Sequence, residues 1–332
     1  MFVFIAITLI SCETSYIEFN SVFDNYQGEI SVSGTSPVIK SYAGLKVVSP
    51  GSSSVQCDAF FNLEISLNSS TSPSYALVEI VHDTSNERVR YWVDESFTEK
   101  VWLRFGQGKY TLSIYKGSIE RDPDSNEPAS KVYYLPAAYK YNITNMREED
   151  GRFIYPSFEI QAADTNIARS AMEIALKCST VDEAIRRIHD YVIKYLSYDF
   201  DSTIEGNRKK QDAISVMNSK IAVCEGYTNF FNALLRSIGI QAAYVTGTVP
   251  GGLHAWSYVL FEKGWSYVDS TWDDPIVNGT NDYGNGSNIS YSYFNKSILS
   301  EHTDEFISSS RNPGILSYQH DDFRFSIKSE KE

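Results

Sequence analysis

From residue 20 to about 147, apolar and polar residues alternate in short runs separated by Gly-, Ser-, Pro- and Asn-rich turns. Phe60–Leu67, Tyr75–Val81 and Arg88–Val93 each repeat with the period of two expected of a strand that buries one face. Phe105-Gly106-Gln107-Gly108 sets a glycine turn ahead of the alternating run Lys109–Tyr115, the pattern of a β-hairpin. Ser118–Ser130 is polar and contains proline, which predicts a surface loop, and the Tyr-rich run Val132–Ile143 predicts a strand closing the sheet. With no helical period in between, the pattern predicts an Ig-like β-sandwich over 20–147.

At about Glu148 the period changes. After Tyr155-Pro156, Asn166–Lys177 predicts one helix. Thr180-Val181-Asp182-Glu183 has the form of a capping box, and Ala184, Ile185, Ile188, Tyr191, Val192 and Tyr195 then recur at three and four residues along one face. His189 rides on that helix and reads as a surface or flank histidine. A further helix starts at Cys224, carries Tyr227, Phe230, Phe231, Leu234, Leu235 and Ile238 as a stripe, and has its natural stop at Gly239. Strands Gln241–Thr246, His254–Leu260 and Trp265–Asp269 follow, joined by the Pro-Gly-Gly and Glu262-Lys263-Gly264 turns. Helices followed by strands predict an α+β domain over 148–332. A chain of 332 residues is long enough for two such domains, each with its own core.

Lys+Arg 29 against Asp+Glu 42 gives 29 − 42 = −13, a balance that sets aside nucleic acid as a partner. Tyr 23 is a high count, and much of it falls in the alternating runs of the first half, so packing within sheets accounts for it before a sugar- or peptide-stacking surface does. Met1–Ile10 is uncharged and apolar except for Thr8, and it is too short to cross a bilayer. Leu9-Ile10-Ser11-Cys12 resembles the bacterial lipobox. That resemblance implies a lipoprotein signal peptide at 1–11, lipidation of Cys12, a tether over 12–19 and attachment to a membrane through the lipid. An ordinary cleaved signal peptide is the other reading, and both place the mature protein outside the cytoplasm, in the cell envelope. Cys57 and Cys178 then remain, in different predicted domains, and read as two buried free thiols, with an interdomain disulfide as the other reading.

Cys224 sits at a predicted helix N-terminus, where unpaired N–H groups and the helix dipole favour thiolate over thiol. His254 can move protons, and Asp269 can orient and charge-stabilise the imidazole. If Glu262-Lys263 is a two-residue loop, Asp269 opposes Trp256, one diagonal step from His254; a three-residue loop would flip that face. Together Cys224-Glu225-Gly226-Tyr227, His254-Ala255-Trp256 and Tyr267-Val268-Asp269-Ser270-Thr271-Trp272-Asp273-Asp274-Pro275 resemble the transglutaminase-like superfamily in its bacterial extracellular branch, over roughly 148–310. Tyr198-Asp199 and His302 also resemble recurring features of such proteins.

The resemblance implies a papain-type Cys-His-Asp site at Cys224, His254 and Asp269. Analogy with papain-like enzymes makes Asn218, six residues upstream of the cysteine, a second oxyanion donor beside the Cys224 amide. Ile221-Ala222-Val223 departs from the family in lacking a glycine on the approach to the cysteine. Asp273 and Asp274 have no His or Cys at ligand spacing and read as turn or cap residues, so no metal is implied, and no cofactor. The implied chemistry is thiol acyl transfer on amide bonds of a protein or peptide substrate through a Cys thioester, with water as the default acceptor. The alternative is a non-catalytic cell-surface binding or scaffold protein with a vestigial domain.

Overall fold

A computed structural model describes residues 22–23, 26–35, 44–68, 75–93, 95–121, 128–201, 209–274, 289–304 and 325–329. The expected signal peptide, the Cys12 lipidation site and the tether lie outside these residues. The chain divides into two compact units at Arg152/Phe153, rather than at residue 148.

The first unit is built of β1 (Gly28–Ser33), β2 (Leu45–Ser49), β3 (Ser54–Asp58), β4 (Phe60–Leu67), β5 (Tyr75–His82), β6 (Arg88–Val93), β7 (Phe97–Trp102), β8 (Gly108–Arg121), β9 (Pro128–Leu135) and β10 (Tyr139–Asn145). One sheet has the order β1-β3-β10-β8-β5-β6 with β9 on β8, and a smaller sheet has the order β2-β4-β7. The period-two pattern is realised as alternate burial: Val89, Tyr91 and Val93 are buried on β6, and Tyr139, Tyr141 and Ile143 on β10. These tyrosines pack the sheets, in line with the packing account of the high Tyr count.

Two boundaries differ from expectation. The polar run after Ser118 is no loop at its start, because β8 continues to Arg121 and pairs with β9 as far as Pro128. A paired backbone tolerates polar side chains. The expected strand Val132–Ile143 is split into β9 and β10 around Pro136, which has no N–H to give to a ladder.

The second unit holds helices α1 (Thr165–Ala175), α2 (Val181–Tyr195), α3 (Ala213–Ser219) and α4 (Cys224–Ser237). Its strands are β11 (Ser197–Tyr198), β12 (Ile221–Ala222), β13 (Ala242–Val249), β14 (Gly252–Phe261), β15 (Gly264–Val268), β16 (Phe294–Lys296) and β17 (Thr303–Asp304). The last five form an antiparallel sheet in the order β16-β15-β14-β13-β17, and β11 and β12 form a short parallel pair. A final strand, β18 (Phe325–Ser329), pairs with β9 in the first unit, so the sequence-based span 148–332 is not one continuous domain.

The capping signals operate as read. Thr180 Oγ1 accepts from the Glu183 amide at 3.0 Å, and the Glu183 carboxylate accepts from the Ser179 amide at 2.8 Å. Helix α1 is capped by Asp164, whose Oδ1 accepts from the amides of Asn166 and Ile167.

Helix α4 is the centre of the unit. Sequence reading gave it one apolar stripe, yet every residue from Gly226 to Ser237 is buried. Helices α1 and α2 and one face of the sheet, including Ala242, Ala255, Val259 and Val268, share its core. Some of its polar side chains are met by backbone groups: Arg236 donates from Nε to the Ala242 carbonyl at 2.8 Å and from Nη1 to that of Tyr155 at 3.0 Å. The opposite sheet face carries Ala243, Val245 and Trp256 with Tyr258, Trp265 and Tyr267. The fold class read from sequence, a β-sandwich followed by an α+β unit, is the one observed. Cys57 and Cys178 are buried and free.

Candidate active site

Cys224 is the first residue of α4, after an extended Val223 that supplies no side-chain cap. The approach lacking a glycine is strand β12, which pairs with β11. Gln211 fixes the join between strand and helix: its Oε1 accepts from the Val223 amide at 2.9 Å and its Nε2 donates to the Lys209 carbonyl at 3.0 Å. Gly226 leaves the space for this. A Cβ there would stand 2.5 Å from Gln211 Oε1 and 2.7 Å from Ala222 Cβ. The nucleophile candidate is thus held at a helix start by packing in place of a cap, and it stays partly exposed.

His254 lies on β14, and Asp269 follows β15. The ladder pairs Phe261 with Gly264 and Ser257 with Val268, which makes Glu262-Lys263 the two-residue loop. Continued by one step, that register sets Asp269 opposite Trp256. His254 Nε2 and Asp269 Oδ2 are 2.7 Å apart, with the carboxylate fully buried. Cys224 stands close enough to the same imidazole to help raise its pKa. Since Nε2 serves Asp269, Nδ1 is the nitrogen left for the sulfur. Trp272 and Trp256 flank the His254 ring, with centroids at 5.5 and 5.9 Å.

The surroundings of Asp269 explain its ionisation. Oδ1 accepts from the amides of Thr271 (3.0 Å) and Trp272 (3.1 Å), while Oδ2 accepts from His254 and also from His302 Nε2 at 2.9 Å. Burial alone would raise this carboxyl, but the bonds from His254, His302 and the backbone outweigh it and hold Asp269 below the usual carboxylate range. For His254 burial acts downward, and the bonds to Asp269 and Cys224 overcome it, pushing the imidazole up to about 10. The site therefore favours a protonated imidazole between a sulfur and a carboxylate.

Residues 168–270, a span that includes all three of these residues, match the family described as the transglutaminase-like superfamily. This segment is a transglutaminase-like domain. Kyphoscoliosis peptidase of Mus musculus is 28% identical over 110 residues, which is 30% of this chain and 17% of the mouse protein. The Homo sapiens protein of the same name is 28% identical over 107 residues, 29% of this chain and 16% of its own length. The chain thus spans less than a fifth of the length of these curated relatives. A Cytophaga hutchinsonii structure described as a candidate cysteine protease aligns over 60% of this chain and 73% of that chain, at 18% identity and a TM-score of 0.33.

Other residues of the transglutaminase-like domain fall differently from expectation. Asn218 is exposed on α3, and among the described residues no hydrogen bond joins it to Cys224, His254 or Asp269. The amide side chain that reaches the start of α4 is that of Gln211. His189 is not on the surface: it is fully buried, with Nε2 3.2 Å from Asp273 Oδ2 and Nδ1 3.2 Å from Asp190 Oδ1. Its spacing from Ile185 and Val192, four and three residues, places it on the apolar face of α2, which the helical period by itself could have shown. Asp273 and Asp274 lie in the turn after Asp269; Asp273 is also buried, with Oδ1 accepting from the Tyr293 amide at 3.0 Å, and Asp274 accepts from the Tyr227 hydroxyl at 2.6 Å.

His302 contacts the site directly, and no periodic signal in the sequence marks it. A ring nitrogen of His302, one of His254 and a carboxylate oxygen of Asp269 form the one group among the described residues with metal-ligating atoms so placed, within 4.8 Å of one another. Nε2 of both rings and Oδ2 of Asp269 are already engaged in the two imidazole–carboxylate hydrogen bonds.

Proposed function

We propose that this protein is a thiol acyl-transfer enzyme that attacks amide bonds of proteins or peptides, with water as the acceptor. The observation that carries the reading is the buried His254–Asp269 pair beside Cys224, whose sulfur is partly exposed while the carboxylate is fully buried. With the proton shared by thiol and imidazole held on His254, the sulfur attacks the amide carbonyl carbon. An S–C bond forms as the C=O π pair moves onto oxygen, where the amide N–H of Cys224, which has no acceptor within its helix, can receive the charge. The imidazolium gives its proton to the departing nitrogen, the C–N bond breaks, and a thioester and an amine result. Water then loses a proton to His254 and attacks the thioester, releasing the acid and restoring the thiol.

The test is a comparison of wild type and Cys224→Ala on a peptide library, read by mass spectrometry for hydrolysis, deamidation or cross-linking. Products formed by wild type alone support the reading. Equal product profiles, together with a Cys224 that iodoacetamide alkylates no faster than an ordinary surface thiol near neutral pH, would leave a non-catalytic binding role as the better account. The lipobox-like Leu9–Cys12 supports anchoring of this enzyme through lipid on Cys12. Wild type should partition into detergent and Cys12→Ser into the aqueous phase, and a water-soluble wild type beginning at residue 13 or later would rule the anchor out.

A further inference from the structure

Asp269 carries one more partner than a Cys-His-Asp relay uses. His302 Nε2 lies 2.9 Å from the same Oδ2 that receives His254, and its side chain is 2% exposed. An ionised carboxylate only accepts, so both imidazoles carry their proton on Nε2. Asp269 thus receives N–H groups from Thr271 and Trp272 on one oxygen and from two histidines on the other.

The remaining nitrogen of His302 is the telling one. Nδ1 is buried and has no hydrogen-bond partner among the described residues. A buried polar atom left unpaired is a cost, so a histidine here is not explained by stability alone. The fold nevertheless fixes this ring tightly: Trp272 and Trp256 stand against it at 4.6 and 4.8 Å between centroids, both edge-on, and Tyr293 at 5.7 Å.

Delivery of the ring depends on one position. β17 follows His302 immediately and docks on β13, pairing Thr303 with Thr248 and Asp304 with Gly247. A Cβ on Gly247 would run into the Thr303 carbonyl oxygen and lie 2.7 Å from Trp256 Cη2. The glycine therefore lets the His302 segment close onto the sheet beside Trp256, above the carboxylate.

From this geometry we propose that His302 is a positioning residue, which completes the hydrogen-bond shell of Asp269 so that the carboxylate stays dry, ionised and aligned on His254. It acts through Asp269 and does not touch the substrate. The inference rests on the reading of Cys224 as a nucleophile.

Three substitutions in the full-length protein separate a donor at Nε2 from mere filling of space. In His302→Gln the side-chain amide nitrogen falls near Nε2 of histidine, in His302→Asn it falls near Nδ1, and His302→Leu has no donor. Alkylation of Cys224 by iodoacetamide at pH 6 is followed by peptide mapping, with near-UV circular dichroism as the control for fold. His302→Gln should stay within about threefold of wild type, while His302→Asn and His302→Leu fall about tenfold, the worth of one hydrogen bond to a charged group. If the Gln and Asn variants fold and are equally fast or equally slow, the ring serves packing and the proposal is overturned, whether or not the Leu variant folds. A wild-type Cys224 no faster than an ordinary thiol is a different result: it would refute the acyl-transfer reading itself.

Discussion

Asp269→Asn turns one oxygen of a carboxylate that accepts four N–H groups into a donor. Two orientations of the new amide exist, and each strands donors against donors. If its oxygen keeps the amides of Thr271 and Trp272, its NH2 meets Nε2 of His254 and of His302. Each ring can then accept only by moving its proton to Nδ1, and in His254 that leaves no lone pair for the thiol proton. If the amide is reversed, the two backbone N–H groups face NH2 in a site closed to solvent. Two hydrogen bonds to a charged group, at about 1.5–3 kcal/mol each, are lost in either case. The resulting 3–6 kcal/mol or so corresponds to roughly 10²–10⁴ in rate, a span whose upper end matches a triad held in the wrong tautomer. Alkylation of Cys224 at pH 6 reads the effect without a known substrate. An ordinary thiol is only about 0.3% thiolate there, so a cysteine uncoupled from the imidazolium should react at least about tenfold more slowly, after allowance for the weaker nucleophilicity of a stabilised thiolate. Burial pushes the other two described thiols up, Cys57 to about 12, and keeps them out of the signal. A folded Asp269→Asn protein with unchanged alkylation and unchanged hydrolysis would refute the role given to Asp269.

Two further outcomes concern the interior around the site. His189→Leu leaves the Asp273 carboxylate buried without its partner, and should cost about 3–5 kcal/mol in urea unfolding. Burial lowers the His189 pKa, but its bonds to Asp190 and Asp273 raise it above the ordinary value, so its contribution is complete below about pH 6.5 and is lost as pH rises through the folded value. The gap between wild type and variant should narrow toward alkaline pH, and a small, pH-independent gap would contradict the pairing. Burial raises Asp274 to about 6 against the opposing bond from Tyr227, so the stability it lends is present below its unfolded value of 3.8 and is lost as pH rises through about 6. Asp274→Asn should therefore melt higher than wild type at pH 8 and alongside it below pH 4, and equal melting at pH 8 would show that this carboxyl is not strained by burial.

Local physics made much of this protein legible from its sequence. Period-two runs gave β4, β5 and β6, and the Thr180/Glu183 box gave the start of α2, while the Glu262-Lys263-Gly264 turn left a two- or three-residue loop open until the ladder chose the first and set Asp269 near His254. These signals act over neighbouring residues, and the short-range rules of capping, pleating and turn geometry decide them. What the sequence left open lies in contacts across long separations. Residue spacing along the chain does not show that α4 is buried on all sides, that Gln211 and not Asn218 reaches the join at Val223, or that Asp273 turns inward to His189. Nor does it show that β17 closes over Gly247 and brings His302 to the carboxylate 33 residues earlier. Such pairings depend on which elements the core draws together, because a buried donor or acceptor is satisfied by whatever group packing places within reach, whatever its distance along the chain.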